Sequence, residues 1–191
     1  GDKLIGALCK FLSDEKLLKG QACVATIMSN KALEDYLAKD KIELHRSKVG
    51  DKYVLETMNA ENINFGGEQS GHIIFADAAK TGDGLASALQ VLALVLKSGK
   101  KASEVLNPFD LYPQAQHNMK VDEKIPLEEI KGYAELISKM KEKGLREVVR
   151  YSGTENKIRL LLEGKDKKVV EEEMEELIAF FKKALWKKSL I

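Results

Sequence analysis

The chain has 191 residues, 44% of them hydrophobic and 32% charged, and its 31 Lys+Arg against 30 Asp+Glu leave a formal net charge of +1. That balance excludes an intrinsically disordered chain, which needs low hydrophobicity and high net charge, and it removes the basic excess that would argue for nucleic acid or an anionic membrane. No apolar run reaches the roughly 18 to 20 residues needed to span a bilayer; the longest, residues 91–96, is a core segment. Cys9 and Cys23 lie among apolar neighbours and form no C-x-x-C pair. Neither a disulfide framework nor a zinc knuckle is therefore expected, and a reducing, cytoplasmic setting fits. Gly1 is not followed by a basic segment and a hydrophobic stretch, so no signal peptide is expected, and a chain that starts without Met is expected to be a processed product or a piece of something longer.

In chain order, Leu4, Ile5, Leu8, Cys9, Phe11 and Leu12 recur at helical spacing, and residues 22–27 are short, apolar and β-rich, a buried strand. Ser29 or Asn30 can cap a helix running to about Lys39, and residues 42–46 then alternate as a half-buried strand. Residues 51–59 read as a helix, 63–65 as a short strand, and 72–75 as its continuation after a glycine-rich turn. Gly82-Asp83-Gly84 opens a helix over residues 85–97 whose leucines cover most of the circumference, so burial on several sides is expected. Two of the three prolines fall at Pro108 and Pro113, which places a domain boundary within residues 107–113.

Beyond it, residues 114–121 read as a strand, 127–143 as a helix ended by Gly144, 147–149 and 158–162 as strands, and 166–185 as a long helix. The order is β-α-β-β-α. The fold class is thus an α/β first domain, with helices packed on a mixed sheet, over residues 1–110, followed by a smaller α+β domain over residues 111–191. In the last helix Val170, Met174, Leu177, Phe181 and Leu185 form the apolar stripe, and Glu171, Glu172, Glu173, Glu175 and Glu176 are expected on a solvated face.

Two segments carry chemistry. Residues 66–72, Gly-Gly-Glu-Gln-Ser-Gly-His, put a carboxylate, an amide, a hydroxyl and an imidazole into one loop between strands. Glycines let such a backbone approach a ligand, and a carboxylate accepts hydrogen bonds from two adjacent sugar hydroxyls. A plain polar hairpin turn would have the same composition. Residues 150–156, Arg-Tyr-Ser-Gly-Thr-Glu-Asn, with Arg159 close behind, combine a planar donor fork, two hydroxyls and a glycine whose neighbouring N–H groups can converge on an oxyanion. That is the chemistry of a phosphate cradle, and again an ordinary polar turn is the alternative. Neither the G-x-x-x-x-G-K-[ST] loop nor the G-x-G-x-x-G fingerprint is present.

The strings G-E-Q-S-G-H-I-I-F, T-G-D-G-L-x-S-A-L-Q and R-x-S-G-T-E-x-x-I-R, in this order, resemble the C-terminal half of the α-D-phosphohexomutases. The resemblance covers nearly the whole chain and implies the third and fourth of that family's four domains. It makes Glu68 and Ser70 ligands of sugar hydroxyls, His72 an aid to proton movement at the reacting oxygen, and Arg150, Ser152, Gly153 and Thr154 phosphate ligands with Arg159 beside them. Val49-Gly50-Asp51-Lys52-Tyr53 is similar to the family's V-G-D-R-Y, which brings Asp51 and Lys52 toward substrate; Lys keeps the charge there but loses the bidentate fork. The phosphoserine string T-A-S-H-N and the metal string D-G-D-x-D-R are not found. The resemblance therefore implies half an enzyme, inactive alone, whose parent uses Mg²⁺ held by residues outside this chain.

The activity implied is interconversion of glucosamine 6-phosphate and glucosamine 1-phosphate through a bisphosphate, by phosphoryl transfer from an enzyme phosphoserine, feeding UDP-N-acetylglucosamine. A family member acting on glucose or mannose phosphates and a non-catalytic sugar-phosphate-binding module are the alternatives. The implied partner is a sugar phosphate, with no nucleic acid and no membrane, and a homodimer is admitted for the parent.

Overall fold

In the computed structural model, which describes residues 1–185, the chain divides after Leu111 into two units, each with its own sheet. The first runs α1 (Asp2–Asp14), β1 (Ala22–Thr26), α2 (Lys31–Ala38), β2 (Glu43–Ser47), α3 (Asp51–Ala60), β3 (Phe65–Gly67), β4 (Ile73–Phe75), α4 (Gly84–Ser98) and α5 (Ala102–Val105). Its sheet has the order β2-β1-β3-β4, with β1 parallel to both neighbours and β4 antiparallel to β3.

All five residues of β1 are buried because helices cover both faces. Cys23 and Ala25 join Ile5, Leu8, Leu33, Leu37, Phe65 and Leu94 on one side, while Ala22 and Val24 meet Val54, Met58, Ile63 and Ile74 on the other. A strand covered on both faces reads as an unbroken apolar run. Parallel pairing has a further consequence: the C-terminal ends of β1, β2 and β3 lie at one edge of the sheet, so the loops that follow them gather there.

Asn30 caps α2 through a hydrogen bond from the Ala32 N–H to its Oδ1, 3.0 Å. Both cysteines are at 0% exposure. The Cys9 thiol is pushed far up from its ordinary range by a hydrogen bond with the Cys23 side chain and by burial.

Two expectations for this unit are corrected. β4 does not continue β3; it folds back on it, pairing Phe65 with Phe75 and Gly67 with Ile73, because the Gly71 N–H donates to the Glu68 carbonyl (2.9 Å) and closes a tight turn. α4 is buried on one side only. Ser87, Val91 and Leu94 face inward, while Leu85, Leu89, Leu92 and Leu96, about half a turn round the helix, are 73%, 58%, 57% and 80% exposed.

The second unit contains β5 (Gln114–Lys120), α6 (Tyr133–Glu142), β6 (Arg146–Tyr151), β7 (Lys157–Glu163) and α7 (Lys167–Leu185), with an antiparallel sheet ordered β5-β7-β6. Ile158, Leu160 and Leu162 of β7 pack with Leu136, Met140, Val170, Leu177 and Phe181. Glu163, at 0% exposure, is compensated by the Arg146 guanidinium and the Gln114 amide. An uncompensated charge there would be strongly destabilising.

Glu173 departs from the solvated-face reading. It is buried and paired with the Lys143 ammonium, because three residues after Val170 and four before Leu177 it shares their side of α7. Glu171, Glu172, Glu175 and Glu176 are exposed.

The helix expected over residues 127–143 is broken into a single 3₁₀ turn at Leu127–Glu129 and then α6. Gly132, with φ at +86°, adopts the left-handed conformation that ends the turn and starts the helix. Gly132→Ala is expected to destabilise the second unit by about 1 to 2 kcal/mol, the cost of placing an L side chain in that conformation. A Cβ would make only an ordinary 3.6 Å contact with Phe180, so the backbone term stands alone. Urea unfolding should show a lower midpoint at unchanged slope; an unchanged midpoint would refute the assignment.

Candidate functional site

The edge where β1, β2 and β3 end gathers three polar segments. The Gly50 N–H, at the start of α3, donates to Glu68 Oε1 at 2.9 Å. This one bond joins two segments that are 18 residues apart in sequence. Gly50 has φ at +125°, a conformation that favours glycine. Glu68 is 8% exposed. Its Oε2 lies 3.8 Å from His72 Nδ1, and the same nitrogen is 3.2 Å from Ser70 Oγ. Glu68, His72 and Ser70 thus form one polar cluster, with the imidazole largely in solvent.

Asp51 is exposed, and its Oδ1 accepts the Lys52 N–H at 2.8 Å. The Lys52 ammonium lies 3.8 Å from Glu56, one turn along α3. The backbone of the Gly50-Asp51-Lys52 turn is therefore brought to the cluster, whereas the lysine charge is shared along its own helix.

Three contributors escaped the residue-level reading. The Thr81-Gly82-Asp83 turn packs on the cluster: a Cβ at Gly82 would lie 3.6 Å from the Ile73 carbonyl and 3.9 Å from His72 Cβ. Asp83 then caps α4 by accepting the Leu85 and Ala86 N–H groups at 2.9 and 3.0 Å. Arg46 fastens the loop after β1, donating to the Ser29 carbonyl at 2.8 Å while paired with Glu34 at 2.9 Å. Asp2, 5% exposed, holds the same loop through the Asn30 N–H, 2.9 Å. T-G-D-G was visible as a helix opening; nothing in local pattern marks Arg46 or Asp2.

In the second unit, residues 152–156 form the turn between β6 and β7. The Ser152 N–H donates to the Lys157 carbonyl at 2.8 Å, and the Ser152 carbonyl accepts the Lys124 ammonium at 2.7 Å. The Tyr151 hydroxyl donates to the Ile125 carbonyl at 2.6 Å. Burial pushes that hydroxyl up, partly opposed by this hydrogen bond. Ser152 is 3% exposed, so it forms part of the wall, while Gly153 and Thr154 are open to solvent.

Arg150 stands directly across from Arg159 in the β6–β7 register, with Asn118 next in the row on β5. Like charges directly opposite on a sheet are unfavourable by themselves. Glu155 relieves part of this. Its carboxyl is held below the usual range chiefly by the Lys157 ammonium at 2.6 Å, with Arg159 at 3.6 Å adding to the effect. Arg150 and Arg159 with the open Gly153-Thr154 backbone are suited to an anion of more than one negative charge.

Among the described residues no group of three or more His, Cys, Asp or Glu side chains is arranged to hold a metal ion, and no helix is long and apolar enough to cross a membrane.

Residues 1–112 match the family model for phosphoglucomutase/phosphomannomutase, alpha/beta/alpha domain III, and residues 117–180 match that for the C-terminal domain of the same family. The chain belongs to the phosphoglucomutase/phosphomannomutase family. Among its relatives, the phosphoglucosamine mutase of Aliarcobacter butzleri is 74% identical over 185 residues and that of Campylobacter concisus 57% identical. Each of these matches covers 97% of this chain and 42% of the relative, so the chain spans less than half the length of the curated relatives it matches. The crystal structure of Aspergillus fumigatus N-acetylphosphoglucosamine mutase in complex with GlcNAc-6P and magnesium shares the fold, with a TM-score of 0.76 at 18% identity over 97% of this chain and 44% of that one.

Proposed function

We propose that the chain is the C-terminal part of a cytoplasmic phosphoglucosamine mutase, domain three over residues 1–110 and domain four over residues 111–191, and that the whole protein interconverts glucosamine 6-phosphate and glucosamine 1-phosphate. The observation that supports this reading is the cluster of the Glu68 carboxylate, the Ser70 hydroxyl and the His72 imidazole at one sheet edge, tied to the Gly50-Asp51-Lys52 turn by the Gly50–Glu68 hydrogen bond. The 74% identity to a protein of that name supports it.

In this reading Glu68 and Ser70 bind sugar hydroxyls, with Asp51 and Lys52 at the rim. Glu68 Oε1 keeps a lone pair after accepting the Gly50 N–H, and Oε2 is not committed to a backbone donor, so the carboxylate still accepts from two hydroxyls. Arg150, Ser152, Gly153, Thr154 and Arg159 hold the phosphate that does not react. Phosphoryl transfer forms a bond from a sugar oxygen to phosphorus and breaks the bond from phosphorus to the donor oxygen. The proton released by the sugar hydroxyl passes to His72 and returns when the other phosphate leaves. Such catalysis is mainly positioning and electrostatics. Mg²⁺ is assigned to the whole enzyme only: the described residues form no cluster that fits it, and no step on this chain runs through it.

The test is an isomerase assay with glucosamine 6-phosphate, Mg²⁺ and a sugar bisphosphate. The whole protein is expected to form glucosamine 1-phosphate, and the 191-residue chain alone to form none above blank. Turnover by the chain alone would overturn the division of labour, and faster turnover of glucose or mannose phosphates would move the protein to another branch of its family.

A further inference from the structure

The segment that follows β5 holds the 152–156 turn at both of its ends. On the β7 side the Val121 N–H donates to the Asn156 carbonyl at 3.0 Å. On the β6 side the Lys124 ammonium donates to the Ser152 carbonyl at 2.7 Å, and the Ile125 carbonyl accepts the Tyr151 hydroxyl at 2.6 Å. Val121 is buried in the core of the second unit and Ile125 packs against it, so this strap has a fixed footing. Among the described residues the Lys124 ammonium has no carboxylate partner, unlike Lys157 and Arg159, which share Glu155. The charge of Lys124 is thus directed at one peptide group of the turn.

A trans peptide is planar, with its carbonyl and its N–H on opposite sides. Lys124 on the Ser152 carbonyl therefore turns the Gly153 N–H of the same plane away from the strap. The Ser152 N–H is already taken by the Lys157 carbonyl, whereas the Gly153 N–H has no acceptor among the described residues. A Cβ on Gly153 would meet nothing within 4 Å, so the space around it is open. Hydrogen bonds in series polarise one another, and a cation on the carbonyl strengthens the donor at the other end of the peptide. We propose that Lys124 is a positioning residue for anion binding: it fixes and polarises the Ser152–Gly153 peptide so that the Gly153 N–H meets a phosphate oxygen, without touching the phosphate itself. Tyr151, through the Ile125 carbonyl, steadies the residue just before that peptide. The proposal rests on the reading of residues 150–154 as the phosphate loop.

Inorganic phosphate titrated into the 191-residue chain and followed by NMR tests the proposal. Lys124→Met is expected to move the Ser152 carbonyl-carbon and Gly153 amide signals before any anion is added, and to weaken phosphate binding about three- to tenfold. Lys124→Arg keeps the charge and the donors and should restore most of the affinity. Tyr151→Phe leaves every charge in place and should weaken binding about two- to threefold. In the whole enzyme Lys124→Met should raise KM for glucosamine 6-phosphate by about three- to tenfold and lower kcat by a smaller factor, the pattern of an interaction made in ground state and transition state alike. Unchanged phosphate affinity in Lys124→Met would overturn the proposal, as would an equal loss in Lys124→Arg. A Ser152 carbonyl carbon that moves on phosphate binding to its Lys124→Met position would overturn it as well, because the ammonium would then have left the peptide for the anion. Should Lys124→Met unfold the second unit, Tyr151→Phe decides, and unchanged affinity there overturns the positioning role. The two levels of failure separate in the parent chain: no response of the Gly153 and Thr154 amides to phosphate would withdraw the phosphate-loop reading itself, whereas a normal titration that is indifferent to Lys124 would remove only the positioning role.

Discussion

Glu68→Ala in the whole enzyme is expected to lower kcat/KM for glucosamine 6-phosphate by about 10²- to 10⁴-fold. Two losses combine: the carboxylate's hydrogen bonds to the substrate hydroxyls and its tie to the Gly50 N–H. Hydrogen bonds to a charged group contribute about 1.5 to 3 kcal/mol each, and each 1.4 kcal/mol is tenfold. The tie can be measured without substrate. In the isolated chain Glu68→Ala leaves the Gly50 N–H without its acceptor and should destabilise the first unit by about 1 to 3 kcal/mol, read as a lower midpoint in thermal or urea unfolding. Glu68→Gln separates the roles, since an amide oxygen still accepts the Gly50 N–H while its charge is gone. It should cost less than about 1 kcal/mol of stability and still reduce kcat/KM by about 10-fold or more. Identical unfolding of Glu68→Ala and the parent chain would remove the Gly50–Glu68 tie from the account.

Arg150→Ala is expected to weaken phosphate binding by the chain about 10- to 150-fold, the equivalent of one lost charge-assisted interaction of about 1.5 to 3 kcal/mol. The same substitution should not lower stability in the absence of anions. Arg150 faces Arg159 across the β6–β7 ladder, and removing one of two opposed like charges is worth a few tenths of a kcal/mol to about 1 kcal/mol in favour of the fold. Titrations followed through the amide signals of Gly153 and Thr154, with unfolding midpoints measured in chloride and in phosphate, check both halves. A loss of more than about 1 kcal/mol of unfolding free energy in chloride would make Arg150 a structural residue and move the anion site elsewhere.

The elements that local pattern marked strongly are those whose determinants lie within one turn or one strand. α1 shows its apolar recurrence, β1 its unbroken apolar run, and α4 its Gly82-Asp83-Gly84 opening, where Asp83 does cap the helix. What pattern could not supply is the neighbour. α4 is apolar on both sides, and only its packing against the rest of the unit decides that Ser87, Val91 and Leu94 lie inside and the four-leucine stripe outside. Glu173 reads as one of a solvated group until Lys143, 30 residues away, is placed beside it. Gly132 inside a helical period was weak evidence for a break, because a glycine costs a helix only about 1 kcal/mol; its positive φ decides the matter.

The site divides in the same way. The residues of the loops at 66–72 and 150–156 were legible from composition and resemblance. Their supports were not: the Gly50–Glu68 bond follows from β1 lying between β2 and β3, and the struts from Lys124 and Tyr151 follow from the 124–125 segment passing the hairpin. Ser152 shows what a motif leaves out: the residue is 3% exposed, with its N–H on the Lys157 carbonyl and its carbonyl on the Lys124 ammonium.

Cys9 and Cys23 are the chain's two cysteines, and both sit in the core of the first unit at 0% exposure. Burial keeps both groups inert toward disulfide reagents while the unit is closed, and the Cys9 thiol is in addition pushed up from its ordinary range, so chemical modification proceeds only through opening of the surrounding structure. The second unit carries no thiol. The 191-residue chain is therefore supplied with a one-sided clock: the rate of thiol labelling reports the opening of the first unit alone, under native conditions and without any introduced probe, while the second unit stays silent whatever it does.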